Sequence, residues 1–199
     1  MPEMDRALFT ETLAAAKAGD EPAFTALFRA TQPALLRYLS VLAGPRAEDI
    51  AGETWVQVVK GLPAFAAEEL PAFRAWVLTI ARHRWLDDRR ARSRRPEQLV
   101  PDAPEQPSGE DVGAIVAGMV ATETAISFIR ALPPDQAEVL MLRVVADLDV
   151  ATTAAVMGRE PGSVRVLAHR GLRRLRHLLE AAQPGTPDVT ARRRRAVSE

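Results

Sequence analysis

Four prolines, Pro96, Pro101, Pro104 and Pro107, fall within fifteen residues otherwise made of Glu, Gln, Asp, Ser, Gly and a few small apolar side chains. Proline lacks the backbone donor that helices and sheet interiors need, so no regular element passes through residues 96–110. The 199-residue chain therefore folds as two bodies, residues 1–95 and 112–182, joined by a flexible linker at 96–111. A polar tail, 183–199, opens with Gln183-Pro184-Gly185, carries four arginines at 192–195, and reads as disordered.

Both bodies read as helical. Aromatic residues make up only 5% of the chain, and no stretch alternates apolar and polar residues over a strand's length. In the first half, helices are expected over about 4–18, ending at Gly19-Asp20, and from Glu21-Pro22 to Leu42, bent at Pro33. Gly44-Pro45 opens a third, with Glu48 and Asp49 in its first turn and Ile50, Val56 and Val59 turned inward. Residues 61–71 read as an irregular loop. Pro71 starts the last helix, which carries Phe73, Trp76, Ile80 and Trp85 and ends in an arginine cluster.

The second half reads as a helix-turn-helix. Pro133-Pro134-Asp135 starts a helix running to about Val145, with Asp135 and Glu138 near the positive end of its dipole. A short helix spans about Val150 to Met157 and stops at Gly158, suited to the left-handed position after a helix. Glu160-Pro161-Gly162-Ser163 opens a third, in which Val164, Leu167, Ala168, Leu172, Leu175 and Leu179 form an apolar stripe. Arg165, His169, Arg173 and Arg176 lie on another face, with Arg170 and Arg174 beside them. An apolar stripe backed by arginines, just after a tight glycine turn, is how a recognition helix meets DNA.

Charge distribution agrees. The net charge is zero, yet residues 82–95 hold seven arginines against Asp87 and Asp88, whereas 96–128 hold no basic residue. Local field rather than net charge attracts phosphate. Trp76 and Trp85 beside these arginines suit unpaired nucleic acid, whose bases stack on aromatic faces; their core-like spacing suits burial equally. The chain has no cysteine, which excludes disulfides and thiolate zinc sites. No signal peptide and no apolar run long enough to span a bilayer is present, so a cytoplasmic protein without membrane insertion is expected.

Three stretches together resemble one family. They are residues 13–24 leading into Leu35-Leu36-Arg37-Tyr38, then Ala47-Glu48-Asp49-Ile50 through Trp55 and on from Phe73 to Arg90, and finally residues 132–158 continuing into Gly162-Ser163-Val164-Arg165 and His169-Arg170-Gly171-Leu172. In order and spacing they resemble the extracytoplasmic-function (ECF) class of bacterial RNA polymerase sigma factors. The resemblance implies a specificity subunit rather than an enzyme, with no cofactor and no metal. It implies that residues 1–95 correspond to sigma region 2 and 112–182 to sigma region 4. Its partners would be core polymerase (the β′ and β subunits), promoter DNA and an anti-sigma factor.

Carried over by position, Asp49, Glu53 and Trp55 would form the polymerase-binding surface. The loop at 61–69 would hold a flipped base of the minus-ten element, with Phe73, Arg74, Trp76, Arg82, His83, Arg84, Arg89 and Arg90 as DNA-binding positions. Ser163, Arg165, Val166, His169, Arg170 and Arg173 would read the minus-thirty-five element. The chain departs from the family at His83, where asparagine is usual, and at Ala151-Thr152-Thr153-Ala154, where Thr153 sets a hydroxyl in place of a packing aliphatic.

Two other readings compete. A free-standing helix-turn-helix regulator would bind duplex DNA by itself, as a dimer, and has no use for the Trp–Arg cluster. A metal enzyme could use His83 and Asp87, four apart on a helix, with Asp88 adjacent, but no third His or Cys accompanies them. Pairing of Asp87 and Asp88 with Arg84, Arg90 or Arg92 is the simpler expectation.

Overall fold

The computed structural model describes residues 5–94 and 120–182, with side chains in the second segment from residue 125. The linker at 96–111, the tail at 183–199 and Arg95 lie outside the described residues. Each helix boundary has a local cause. Helix α1 (Arg6–Lys17) is capped by Asp5, whose side chain accepts from the Leu8 amide at 2.8 Å. Gly19 at φ +92° lets the chain reverse, and Asp20 then caps α2 (Glu21–Ala43) through the Ala23 amide at 2.8 Å. Pro33 lies inside α2, and the helix continues through it. A 3-10 turn (Gly44–Arg46) leads into α3 (Ala47–Gly61), and another (Leu62–Ala64) begins the connection to α4 (Leu70–Ser93).

The second body comprises α5 (Val120–Arg130), α6 (Pro134–Leu140), α7 (Val150–Met157) and α8 (Pro161–Ala182). The helix expected to run to Val145 closes at Leu140 and continues as a π-helical turn, Met141–Val145. Gly158 takes the left-handed conformation (φ +62°, ψ +42°) that ends α7. Arg159 of the turn pairs with Asp135 of α6 at 2.6 Å.

Asp149 caps α7 by accepting from the Thr152 amide at 2.6 Å. That bond holds its carboxyl below the ordinary value of 3.8. The group binds its proton less readily folded than unfolded, so its stabilisation is complete above pH 3.8 and disappears as pH falls through the lower folded value. Asp149→Ala is expected to lower the melting temperature at neutral pH and to flatten this acid step, both readable by circular dichroism.

The interior of the first body is Phe9, Leu13, Leu27, Leu35, Tyr38, Leu39, Ile50, Val58, Phe73, Val77 and Leu78. That of the second is Val139, Leu140, Met141, Leu142, Leu148, Val156, Met157 and Val164. Thr153 is fully buried with its hydroxyl unpartnered, a cost inside α7 that an aliphatic residue would avoid. The two interiors are continuous. α2 packs against α5, α6 and the π-helical turn, while α4 packs against α7.

Three sequence expectations change. Val56 and Val59 are 52% and 55% exposed, not inward, because Ile50, Thr54 and Val58 take the buried side of α3. Leu172 and Leu179, expected in the apolar stripe of α8, are 50% and 37% exposed. Glu138, expected near a helix start for its dipole, is 2% exposed at the contact between the bodies.

Candidate nucleic-acid interface

Helix α8 separates its two faces as its periodicity requires. Val164 and Gly171 are buried, and Leu167, Ala168, Leu175 and Leu178 pack against the core. Ser163, Arg165, Val166, His169, Arg170 and Arg173 are all exposed. The helix therefore offers an arginine-bearing side to a groove while its other side anchors on α6 and α7.

Around the start of α4 the chain builds an aromatic platform. Phe65 stacks on Trp76 with centroids 4.8 Å apart and meets the edge of Phe73 at 5.5 Å. Gly61 makes room for it: a Cβ there would lie 2.8 Å from the Trp76 ring. Helix α1 holds the intervening loop from the other side. Lys17 donates to the Phe65 carbonyl, and Arg6 pairs with Glu68 at 2.6 Å.

The expected minus-ten positions divide by burial. His83, Arg89 and Arg90 are exposed, and Arg74, Trp76 and Arg84 are half-buried. Phe73 is 0% exposed, packed on Phe9, Phe65 and Trp76, and does not reach a DNA surface; its assignment as a contact is corrected to a core residue beneath the platform. Trp85 is likewise buried, with Arg89 above its ring at 5.8 Å. Arg90 pairs with Asp87 at 3.1 Å, and Asp88 pairs with Arg92 at 2.8 Å and Arg46 at 3.3 Å. Among the described residues no group of three His, Cys, Asp or Glu side chains could hold a metal ion.

The expected polymerase-binding positions divide similarly. Asp49 and Glu53 are exposed on α3. Trp55 is 8% exposed, packed on Phe28 and Phe24, with its indole N–H donating to Gln32 at 2.6 Å. Its assignment as a surface contact is corrected to a residue that fixes α3 on α2. Val56 and Val59, expected inward, are exposed on the same helix. Helical spacing was the available signal: Val56 lies three residues after Glu53 and seven after Asp49, on the same face.

Arg82 is engaged within the chain. Its Nε donates to Glu138 Oε1 at 2.6 Å, and the hydroxyl of buried Tyr38 donates to the same oxygen at 3.0 Å. The side chains of Arg82 and Glu138 are 17% and 3% exposed, so this ion pair between the two bodies is largely withdrawn from water. Burial, and then the adjacent carboxylate, push the Tyr38 hydroxyl well above its ordinary pKa. Glu138 carried a sequence signal: it precedes Met141 and Leu142 by three and four residues, in line with an apolar face.

Residues 27–95 match the family model for sigma-70 region 2, and residues 123–175 match that for sigma-70 region 4. The chain is 35% identical over 175 residues to the ECF RNA polymerase sigma factor ShbA of Streptomyces griseus, covering 81% of this chain and 90% of that one. It is 32% identical over 179 residues to the ECF RNA polymerase sigma factor SigD of Mycobacterium tuberculosis, covering 85% and 83%. Its fold resembles that of the sigma factor RpoE of Bartonella quintana, solved with the anti-sigma factor NepR. There the TM-score is 0.61 at 21% identity, over 80% of this chain and 98% of that one. CnrH, solved with the cytosolic domain of CnrY, gives a TM-score of 0.61 at 20% identity, over 90% and 100%.

Proposed function

Since the chain belongs to the ECF class of RNA polymerase sigma factors, proteins that bind core polymerase and direct promoter-specific initiation, we propose how its surfaces divide that work. The exposed α3 face, with Asp49, Glu53, Val56 and Val59, docks on polymerase; two carboxylates beside two valines suit a partner with both basic and apolar side chains. Residues 1–95 bind the minus-ten element through the loop at 61–69, Trp76 and the basic side chains of α4. Residues 112–182 read the minus-thirty-five element through α8, and the linker at 96–111 spans the interval.

Sigma factors are in general non-enzymatic initiation factors, and we assign no active site to this chain. No helix among the described residues is long and apolar enough to cross a membrane. The proposed site of action is the cytoplasm, where polymerase and promoters meet, and an anti-sigma factor is the proposed inhibitory partner.

The α8 surface carries this reading furthest: six positions expected to read DNA are all exposed on a helix whose remaining face is anchored. The test is transcription in vitro with core polymerase lacking any sigma factor, on promoter fragments pooled from the source genome. New start sites preceded by two spaced sequence elements are expected. Absent initiation, together with a tight duplex-DNA shift by the protein alone, would move the reading to a free-standing regulator.

A further inference from the structure

Two hydrogen-bond donors of the first body, the Tyr38 hydroxyl and Arg82 Nε, converge on one carboxylate oxygen of the second body, Glu138 Oε1. Tyr38 is 0% exposed, and Glu138 2%. Such an arrangement is a built anion site, one neutral and one cationic donor aimed at a single oxygen, and here a side chain of the same protein fills it.

That filling is incompatible with reading a promoter. The minus-ten and minus-thirty-five elements lie about 25 base pairs apart, roughly 85 Å of duplex at 3.4 Å per step. Yet α7 of the helix-turn-helix packs directly on α4, and α6 on α2. The second body must leave the first before both elements are bound, and its departure takes the Glu138 carboxylate away. The Tyr38 hydroxyl of α2 and Arg82 of α4 are then two donors without their acceptor, and Arg89 lies two turns from Arg82 on the same side of α4.

We propose that Tyr38 and Arg82 form a phosphate site for the minus-ten strand, and that Glu138 is its internal mimic, occupying the site while the protein is closed. The proposal rests on the reading of α4 as the minus-ten helix and adds to it. Tyr38 becomes a DNA contact, and Glu138 a competitor that keeps the free protein from binding promoter DNA prematurely. A carboxylate suits this role chemically. Like a phosphate, it is anionic and acceptor-only, but with one charge and two oxygens it is the weaker occupant, displaced when polymerase and DNA hold the domains apart.

The experiment uses the full-length protein and a fluorescein-labelled single-stranded oligonucleotide carrying the non-template minus-ten element of a promoter it initiates. The chain has no cysteine, so Glu11→Cys and His177→Cys on α1 and α8 accept a dye pair that reports domain separation. Glu138→Gln is expected to move the dyes apart and tighten oligonucleotide binding without polymerase by about tenfold. In that background Tyr38→Phe should weaken binding by about fivefold, and Arg82→Gln should also reduce the salt slope by about one.

Dyes that separate with no gain in affinity would overturn the mimicry. An Arg82 effect with none from Tyr38→Phe would overturn the two-donor site and leave the minus-ten reading standing. No effect of Arg82→Gln on affinity or salt slope in the open protein would instead remove the reading on which the proposal rests. Tyr38→Phe alone removes one hydrogen bond at constant shape, so folded protein for the comparison is available even if Glu138→Gln folds poorly.

Discussion

Phe73→Ala is expected to destabilise the first body by about 3–5 kcal/mol, the range for emptying a fully buried aromatic position. Phe73 is 0% exposed and touches rings from three directions: Phe9 at 6.1 Å, Phe65 at 5.5 Å and Trp76 at 5.8 Å. Removing it leaves a void under the platform and frees the loop that Phe65 anchors. A loss of this size is a large share of the stability of a domain of this length. Urea denaturation followed by circular dichroism measures it, and initiation should fall in parallel with the folded fraction. Promoter opening lost at unchanged stability would instead make Phe73 a DNA contact and refute its placement in the core.

Glu138→Ala is expected to weaken the closed arrangement by about 3–5 kcal/mol, because removing one partner of a buried pair leaves the other charge uncompensated. The acid accepts from Arg82 at 2.6 Å and from Tyr38 at 3.0 Å, and the Glu138 side chain is only 3% exposed. Without it, a guanidinium and a hydroxyl remain at a contact that excludes water. Thermal unfolding should then resolve into two transitions, one for each body. The contrast that isolates the cause is the triple replacement Glu138→Ala, Arg82→Met, Tyr38→Phe, which removes the stranded polar groups too. It should recover much of the single transition, since buried polar networks exchanged wholesale for apolar groups are often neutral in stability. Equal behaviour of the single and triple variants would show that apolar packing between α2, α4 and the second body holds the domains, not the ion pair.

Much of this fold is legible locally. Asp5, Asp20 and Asp149 each accept from an amide three residues on, and Gly19 and Gly158 close helices at positive φ. These are interactions within a few residues, so their chemistry can be read without knowing the tertiary contacts. The arginine side of α8 is legible for the same reason: its apolar positions recur at helical spacing, which leaves Arg165, His169, Arg170 and Arg173 outside. The site was less legible where a residue's type agrees with two environments. Trp55 and Phe73 suit an exposed aromatic contact as well as a core, and only their neighbours across the bundle decide between them. On α3, Val56 and Val58 are both valines; the first is 52% exposed and the second 0%. The difference comes from which side of α3 faces α2 and α4, the two helices it packs against.

What the sequence determined by itself was the all-α class, two helical bodies, the helix-turn-helix and the arginine face of α8. Each rests on periodicity, capping and proline chemistry, which act over one or two turns of chain. The tertiary structure alone decided which aromatic residues are core, that Val56 and Val59 form a surface beside Asp49 and Glu53, and that Arg82 meets Glu138. Tyr38 and Glu138 are one hundred residues apart in sequence, yet only 3.0 Å separates their oxygens. No local propensity encodes such a contact. It exists because burying the apolar faces of both bodies against each other brings their few polar groups together, and a buried carboxylate is tolerated only where donors meet it.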